Sequence, residues 1–266
     1  MTDSETKYAI RMILITTSLG GMSFLSFNNG LLLAYFSYLG IPSATILILL
    51  ALLPLSQFVF MIPFSYLSDI YGKKLIGNFG MVLSIIGFLL IAVAGAFPET
   101  YLILVVSLGA GVFGTGSALI IGNWFALLHP IIPENIRGRF FGRLRLTWQS
   151  IGIIFTLVVI YILEQHPTLG MYQAVIAVIT ILMVLRMIYY QRIPELDKVL
   201  PKKETFRKSF LKVLAIPEYL SFCAYCFLLT LFTGACPQIF NLIEKDVLHL
   251  SKVEMVFIGN LLVVGA

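Results

Sequence analysis

The sequence has few charged residues: Asp, Glu, Lys and Arg make up 12% of its 266 residues. Soluble domains usually carry about 25% charged residues, so this chain has too few to cover a surface that faces water. Hydrophobic residues make up 59%, and they run in long blocks that are separated by short polar clusters. This pattern is typical of an all-α protein that crosses a membrane several times.

Histidine and cysteine are also scarce. The three histidines, His129, His166 and His249, lie in three separate loops, whereas a membrane-embedded enzyme needs His, Asp or Glu clustered at the membrane surface. Cys223 and Cys226 form a C-x-x-C pair, but a zinc site also needs a second pair or nearby histidines. We therefore expect no metal site, and an enzyme is only a minor alternative.

Two further absences narrow the functional class. The chain has no G-x-x-x-x-G-K-[ST] loop, the phosphate-binding motif of P-loop ATPases, and no cofactor is expected. The apolar run near the N-terminus is too long for the h-region of a signal peptide, so we expect it to be a retained first span. The net charge of +5 comes from clusters between apolar blocks, which favours the lipid bilayer over nucleic acid as the partner.

Seven apolar blocks are long enough to cross the bilayer, since a helix needs ~20 residues to cross a ~30 Å hydrocarbon core. We expect spans at residues 12–39, 43–68, 75–97, 101–128, 146–163, 169–190 and 219–242. A short charged loop is expected at 69–74, and the final run 255–266 is too short to cross.

These spans divide the chain into three parts. Residues 1–190 are expected to form an N-terminal six-helix transmembrane bundle, 191–213 a cytoplasmic linker, and 214–266 the truncated start of a second bundle.

Lysine and arginine are distributed unevenly between the loops. With the predicted spans, sixteen of the 18 basic residues fall on one side of the membrane, and only Lys245 and Lys252 fall on the other. An excess of basic residues marks cytoplasmic loops. We therefore expect a cytoplasmic N-terminus and an integral, multi-pass protein of the plasma membrane of a bacterium.

The segment between the second and third spans, residues 65–74, reads SYLSDIYGKK. It resembles the signature loop G-x-L-x-D-x-x-G-R/K-K of the major facilitator superfamily (MFS) of transporters, with serine in place of the first glycine. The residues that match are Leu67, Asp69, Gly72, Lys73 and Lys74. The resemblance implies a gating role, in which this loop latches one half of the transporter to the other and releases when the cytoplasmic side opens.

The segment between the fourth and fifth spans, residues 133–142, reads PENIRGRFFG. It is similar to a P-E-x-x-R-G-R-x-F-G stretch of the same superfamily through Arg137, Gly138 and Arg139. The third and fourth spans separate the two loops, and the resemblance implies two three-helix repeats in each six-helix half. The resemblance implies an MFS-type bundle that moves a small-molecule substrate by alternating access, either passively or with a coupling ion. A six-helix half of this kind cannot enclose a two-domain cavity by itself, so a truncated fragment that does not transport is the second hypothesis.

Two residues of the signature loop have a physical role that is independent of the resemblance. Gly72 permits the positive φ angle that a tight turn between two helices requires. Asp69 lies at the end of the second span, where a carboxylate is unfavourable for the helix dipole unless it is paired. We therefore expect a basic partner or a helix N-terminus near Asp69.

The substrate cavity has to be built from uncharged polar residues if no charge lies at mid-depth. Arg186 is placed near a span end, and we expect no ionisable residue in the middle of the first six spans. The candidate cavity residues are Asn28, Asn29, Asn123, Trp148 and Gln149. For each of them, a bond to a neighbouring helix is the alternative. The sequence does not choose between a proton, sodium and no coupling ion.

Overall fold

The computed structural model of the protein describes residues 2–28, 30–196, 206–233, 236–251, 254 and 258. These residues contain ten α-helices and no β-strand. The helices are α1 (Asp3–Asn28), α2 (Leu31–Tyr38), α3 (Ser43–Tyr71), α4 (Lys73–Val93), α5 (Glu99–Leu128), α6 (Arg137–Gln165), α7 (Leu169–Tyr190), α8 (Phe206–Leu214), α9 (Pro217–Thr233) and α10 (Cys236–Asp246).

Within the described residues, six helices are long and apolar enough to cross a membrane: α1, α3, α4, α5, α6 and α7. This confirms the predicted six-helix bundle. The block predicted as a seventh span is divided between α9 and α10, on either side of the undescribed residues 234–235. Helices α8 and α9 together would count as a seventh span, with a bend of 89° between them. The predicted run 255–266 lies outside the described residues except for residue 258.

Helix α1 begins nine residues earlier than the predicted start at residue 12. Thr2 and Glu5 form a reciprocal cap at this end: the Thr2 backbone N–H donates to Glu5 Oε2 at 2.8 Å, and the Glu5 N–H donates to Thr2 Oγ1 at 3.3 Å. Such a capping box satisfies the free N–H groups of the first turn. The helix therefore starts in the polar N-terminal segment, before the apolar block.

The first predicted span is broken near its far end. Helix α1 ends at Asn28, and α2 begins after Gly30, whose φ is 81°. This left-handed conformation is available to glycine at little cost. Residues 12–39 therefore contribute one membrane-spanning helix and one short, buried helix rather than a single continuous span.

The predicted loop 69–74 is wrong in length, because only Gly72 separates α3 from α4. The φ of Gly72 is 103°, and its N–H donates to the carbonyl of Ser68 at 3.0 Å. The predicted positive φ is confirmed. A reversal at a single residue places the start of α4 directly against the end of α3.

Helices α4 and α5 pack most extensively against each other. A Cβ atom added to Gly80 would lie 2.8 Å from the carbonyl oxygen of Gly116, and one added to Gly116 would lie 2.5 Å from that of Gly80. Lipid gives no hydrophobic drive for helices to associate, so close backbone contact supplies the packing energy. Gly80 and Gly116 therefore permit the close backbone contact between α4 and α5.

One end of the bundle carries the N-terminus, Gly72, the segment 129–136 and Tyr190, and we call it the basic end. A single hydrophobic cluster there joins four elements through Ala9, Leu128, Phe140 and Tyr190. The signature segment and the end of α7 therefore lie side by side. Large apolar side chains cover the outside of the bundle, including Phe58, which is 73% exposed, as expected for a surface that faces lipid.

Candidate functional site

A cavity of about 200 Å³ lies inside the bundle between α1, α4, α5, α6 and α7. The cavity extends from the middle of the helices, where Ser84 lies halfway along α4 and Phe113 halfway along α5, towards the basic end, where Trp124 and Arg186 lie four residues before the ends of α5 and α7. The lining consists of Thr17, Gly20, Gly21, Ser23, Phe24, Ser84, Phe113, Ser117, Ile120, Ile121, Trp124, Trp148 and Arg186. The lining therefore combines apolar, aromatic and hydroxyl side chains with one charged group.

Arg186 is the only charged residue of this lining. It lies four residues before the end of α7, but its guanidinium packs against the backbone of α1 at Gly20. A methyl group at position 20 would overlap the guanidinium, so Gly20 provides the space that this group occupies. The expectation that no charge reaches the middle of the bundle is therefore wrong for Arg186.

The direction of α7 explains this depth. Helix α7 runs towards the basic end, and the Cα–Cβ bonds of a helix tilt towards its N-terminus. The Arg186 side chain consequently points away from the nearest polar surface and towards the cavity. Arginines near the end of a membrane helix usually extend the other way and place the charge in the interface.

The Arg186 guanidinium has no hydrogen bond or ion pair within the described part of the chain, and its Nε is shielded from solvent. The residue as a whole keeps part of its surface open, on the side of the cavity. A guanidinium carries five N–H donors. Donors that have no protein partner and face a cavity are available to an acceptor that enters it.

Both tryptophans of the chain, Trp124 and Trp148, line the cavity. A Cβ atom on Gly21 would lie 3.1 Å from the indole ring of Trp148, so the paired glycines of α1 accommodate both Arg186 and Trp148. The structure thus places Trp148, a predicted cavity residue, in the lining. The aromatic rings give the cavity a mainly apolar wall around a single positive charge.

The other predicted cavity residues have different surroundings. The Asn28 amide nitrogen donates to the Phe24 carbonyl at 3.1 Å, within its own helix. Gln149 is partly exposed and does not contribute to the lining of this cavity. Asn29 lies outside the described residues. These positions stay predictions.

Asn123 lies at the basic end instead of the cavity. It is 1% exposed, and its amide nitrogen donates to the Lys73 carbonyl at 3.1 Å. The Tyr190 hydroxyl donates to the same carbonyl at 3.3 Å. Asn123 on α5 and Tyr190 on α7 thus hold the first residue of α4 from two sides.

Glu195 completes this arrangement from the segment that follows α7. Its Oε1 accepts the backbone N–H of Lys73 at 2.6 Å and that of Lys74 at 3.3 Å. These N–H groups are free in the first turn of any helix, and a carboxylate is favoured there by the helix dipole. We call Lys73, Asn123, Tyr190 and Glu195 the α4 clamp.

The remaining residues of the two predicted loops surround the α4 clamp. Asp69 is exposed in the last turn of α3, and Arg139 and Gly138 are exposed at the start of α6. Arg137 is half-buried, and its Nη2 lies 4.0 Å from Oε1 of Glu134. Arg137 also lines a surface pocket with Leu196, the neighbour of Glu195. The segment 191–196 therefore meets both loops.

Three residues of the cavity and the α4 clamp were not identified from the sequence: Arg186, Tyr190 and Glu195. A signal for Arg186 was the pair Gly20-Gly21, since two adjacent glycines in a membrane helix indicate that something large approaches it. No local pattern indicates the bonds of Tyr190 and Glu195 to Lys73, which join residues more than a hundred positions apart.

Comparisons with known proteins agree with this architecture. The sequence profile of the Major Facilitator Superfamily matches residues 13–266. Two solved structures are similar, each with a TM-score of 0.58: a POT family transporter in complex with a thioalcohol-conjugated peptide, 15% identical, and a POT family transporter in complex with 5-aminolevulinic acid, 16% identical. They match 89% and 90% of this chain, which spans 50% of each of theirs. No curated protein sequence matches the chain.

Proposed function

The chain belongs to the Major Facilitator Superfamily, and on that premise we propose that it transports a small solute across the membrane by alternating access. The observation that carries this proposal is the cavity at mid-depth between five membrane helices. A solute that binds there lies between the ends of the membrane helices, and it can leave to either side if the bundle opens at one end and then at the other. The similar solved transporters were crystallised with small ligands, which supports a small-molecule substrate.

The chain spans about half the length of those transporters, so transport is proposed for the protein in which this bundle forms one half. Cavity residues such as Trp148 and Arg186 would then supply one wall of the binding site. Asn28, Asn29 and Gln149 are secondary candidates for the same wall. Transport is either facilitative or coupled to a proton or sodium ion.

The α4 clamp gives the signature segment a role in this cycle. It fixes the start of α4 to α5 and to the chain after α7 through Lys73, Asn123 and Glu195. Asp69, Gly72 and Lys74 lie next to it, and Arg137, Gly138 and Arg139 lie on the neighbouring loop. We propose that the clamp keeps the basic end rigid, so that this half moves as one body when the cavity opens.

The orientation is proposed from charge. The basic end carries the residues that the anionic cytoplasmic leaflet attracts, including Lys7, Lys73 and Arg192. We therefore place this end and the N-terminus in the cytoplasm, with the bundle in the plasma membrane of a bacterium.

Accessibility of the cavity from each face tests the proposal. In a variant without Cys223, Cys226 and Cys236, Ser117→Cys places a thiol in the cavity, and Ile154→Cys places a matched thiol on the outer surface, where Ile154 is 63% exposed. A membrane-impermeant maleimide is added to one face or the other of sealed vesicles. We expect Ser117→Cys to react from both faces. We expect Ile154→Cys to face lipid and to react from neither.

Reaction of Ser117→Cys from only one face under all conditions would contradict alternating access.

Uptake is then measured in vesicles from cells that express the protein from its natural gene, against vesicles from cells that lack it. A panel of labelled small solutes with negative, positive and no charge identifies the substrate class. Absence of uptake for the whole panel would contradict the transport function.

A further inference from the structure

We propose that the cavity takes a small organic anion, and that the guanidinium of Arg186 binds its acidic group while the tryptophan rings contact its apolar body. The inference rests on the proposed function for its place in a transport cycle. It extends that function by naming the substrate class and the residue that selects it. The binding itself can be measured without any transport.

The first argument is the set of unused donors on Arg186. Its guanidinium has no hydrogen-bond or ion-pair partner among the described residues, and its Nε is sealed from solvent. Buried polar groups in proteins almost always have a partner. A planar fork of donors matches the two oxygens of a carboxylate or a phosphoryl group better than any other small chemistry.

The second argument is the direction of the side chain. Arg186 is within about 6 Å of the end of α7 along the helix axis, since four residues rise 1.5 Å each. A side chain of this length could therefore reach the polar interface at the basic end. It turns into the cavity instead and packs at Gly20. The guanidinium therefore does not use the water that it could reach at the interface, which indicates that it has a binding partner within the cavity.

The third argument is the composition of the wall. Apart from Arg186, the lining consists of apolar, aromatic, glycine and hydroxyl side chains, and none of them carries a negative charge. Besides Nε of Arg186, Oγ of Ser84 is a second buried polar atom of the lining without a partner in the described residues. A cation would meet repulsion from Arg186 with no compensating acid. An anion with an apolar body finds a charge at one point and Trp124, Trp148 and Phe113 around it.

The competing explanation is a structural ion pair between Arg186 and an acidic side chain outside the described residues. In that case the guanidinium is already neutralised, and a free anion has no site. The two explanations differ in a direct binding measurement. They also differ in which ligands protect the protein from heat, because a ligand that binds the folded protein raises the free energy of unfolding with the logarithm of its concentration.

Intrinsic fluorescence provides the measurement, because both tryptophans of the chain line the cavity. The purified protein in detergent is titrated with cyclohexanecarboxylate and with its neutral analogue cyclohexanecarboxamide, neither of which absorbs where tryptophan is excited. Thermal unfolding is recorded with the same two compounds. The variants are Arg186→Gln, which removes the charge, Arg186→Lys, which keeps it, and Arg192→Gln as the control, because Arg192 is an exposed arginine just beyond α7.

In the natural protein and in Arg192→Gln, we expect the carboxylate to give a saturable fluorescence change. The carboxamide should bind the natural protein at least tenfold more weakly than the carboxylate does. The carboxylate should bind Arg186→Gln at least tenfold more weakly than it binds the natural protein. Arg186→Lys should retain part of the affinity. Equal binding of the two compounds, unchanged carboxylate binding in Arg186→Gln, or no binding at millimolar concentrations would each overturn the inference. If Arg186→Gln does not fold, the comparison of carboxylate with carboxamide in the natural protein decides alone.

These outcomes separate the inference from the proposed function. Carboxylate binding that depends on Arg186, combined with a cavity thiol that reacts from only one face, would support the anion site and contradict transport. Uptake of neutral or cationic solutes with no carboxylate binding would support transport and contradict the anion site.

Discussion

Oε1 of Glu195 lies 2.6 Å from the backbone nitrogen of Lys73, so the chain that follows α7 caps the first turn of α4. The two residues are 122 positions apart. The bond ties the end of the sixth membrane helix to the start of the third, across the two three-helix halves of the bundle. A charge-assisted bond to a helix N-terminus is short and stronger than one between neutral groups.

The first prediction concerns this cap. Glu195→Gln keeps an acceptor but removes the charge, and we expect it to lower the free energy of unfolding by about 0.5–1 kcal/mol. Glu195→Ala should cost about 1–2 kcal/mol, since the N–H groups of Lys73 and Lys74 then lose their acceptor as well. Thermal unfolding in detergent, followed by circular dichroism, measures both effects. Glu134→Gln is the control, because the Glu134 side chain is 89% exposed; equal losses at both positions would contradict the cap.

The second prediction concerns the turn between α3 and α4. Gly72 has a φ of 103°, a conformation that costs an L-residue about 1–3 kcal/mol. We expect Gly72→Ala to destabilise the bundle by that amount and to weaken the bonds of the α4 clamp that follows it. The control is Gly138→Ala, where a new Cβ meets no atom within 4 Å and φ is not positive. A Gly72→Ala variant as stable as the natural protein would show that the turn has another conformation.

The sequence predicts those features of the fold that depend on a short, continuous stretch of residues. Long apolar runs predict the six membrane helices because the bilayer thickness sets their length. Gly72 could be predicted as the turn because it is the glycine where two spans meet. The start of α1 was missed because its cap lies in a polar segment, outside the apolar run.

The candidate site was harder to predict, because it depends on rotation about the helix axes. Helix α5 is apolar almost all round, so its sequence does not indicate that Asn123 faces Lys73 rather than the cavity. Arg186 was assigned to a span end by its position in the chain. The direction in which its side chain points follows only when the direction of α7 is also considered.

The third prediction concerns the contact of α4 with α5. A Cβ on Gly116 would lie 2.5 Å from the Gly80 carbonyl oxygen, and a backbone atom cannot move aside as a side chain can. We expect Gly116→Ala to force the helices apart and to cost about 1–3 kcal/mol. Gly111→Ala on the same helix is the matched control, since nothing lies within 4 Å of its new Cβ, and it should be neutral or stabilising by up to about 1 kcal/mol. Unfolding by titration with a denaturing detergent compares the two.

The fourth prediction concerns orientation. Because the basic loops should face the anionic cytoplasmic leaflet, a reporter fused after Lys203 should report a cytoplasmic position. A fusion in the segment between α5 and α6, after Pro133, should give the same result, and one after Pro98 the opposite. An external signal after Lys203 would reverse the proposed topology, and identical signals at all three positions would contradict the alternation of the helices.

The fifth prediction concerns a substitution that displaces the Arg186 side chain without removing its charge. Gly20→Ala places a methyl group where the guanidinium now lies. The atoms it meets are the end of a flexible side chain, so we expect Arg186 to rotate away while unfolding changes by less than about 1.5 kcal/mol. Carboxylate binding, read from tryptophan fluorescence, should weaken several-fold.

The control for this displacement is Gly142→Ala, whose new Cβ meets no atom within 4 Å, and it should bind the carboxylate as the natural protein does. A double-mutant cycle gives the sharper test, because residues in direct contact have non-additive effects. Once Arg186→Gln is present, adding Gly20→Ala should change binding no further. If Gly20→Ala weakens binding equally with and without Arg186, the alanine acts through the shape of the cavity wall, and the position of the guanidinium does not determine affinity.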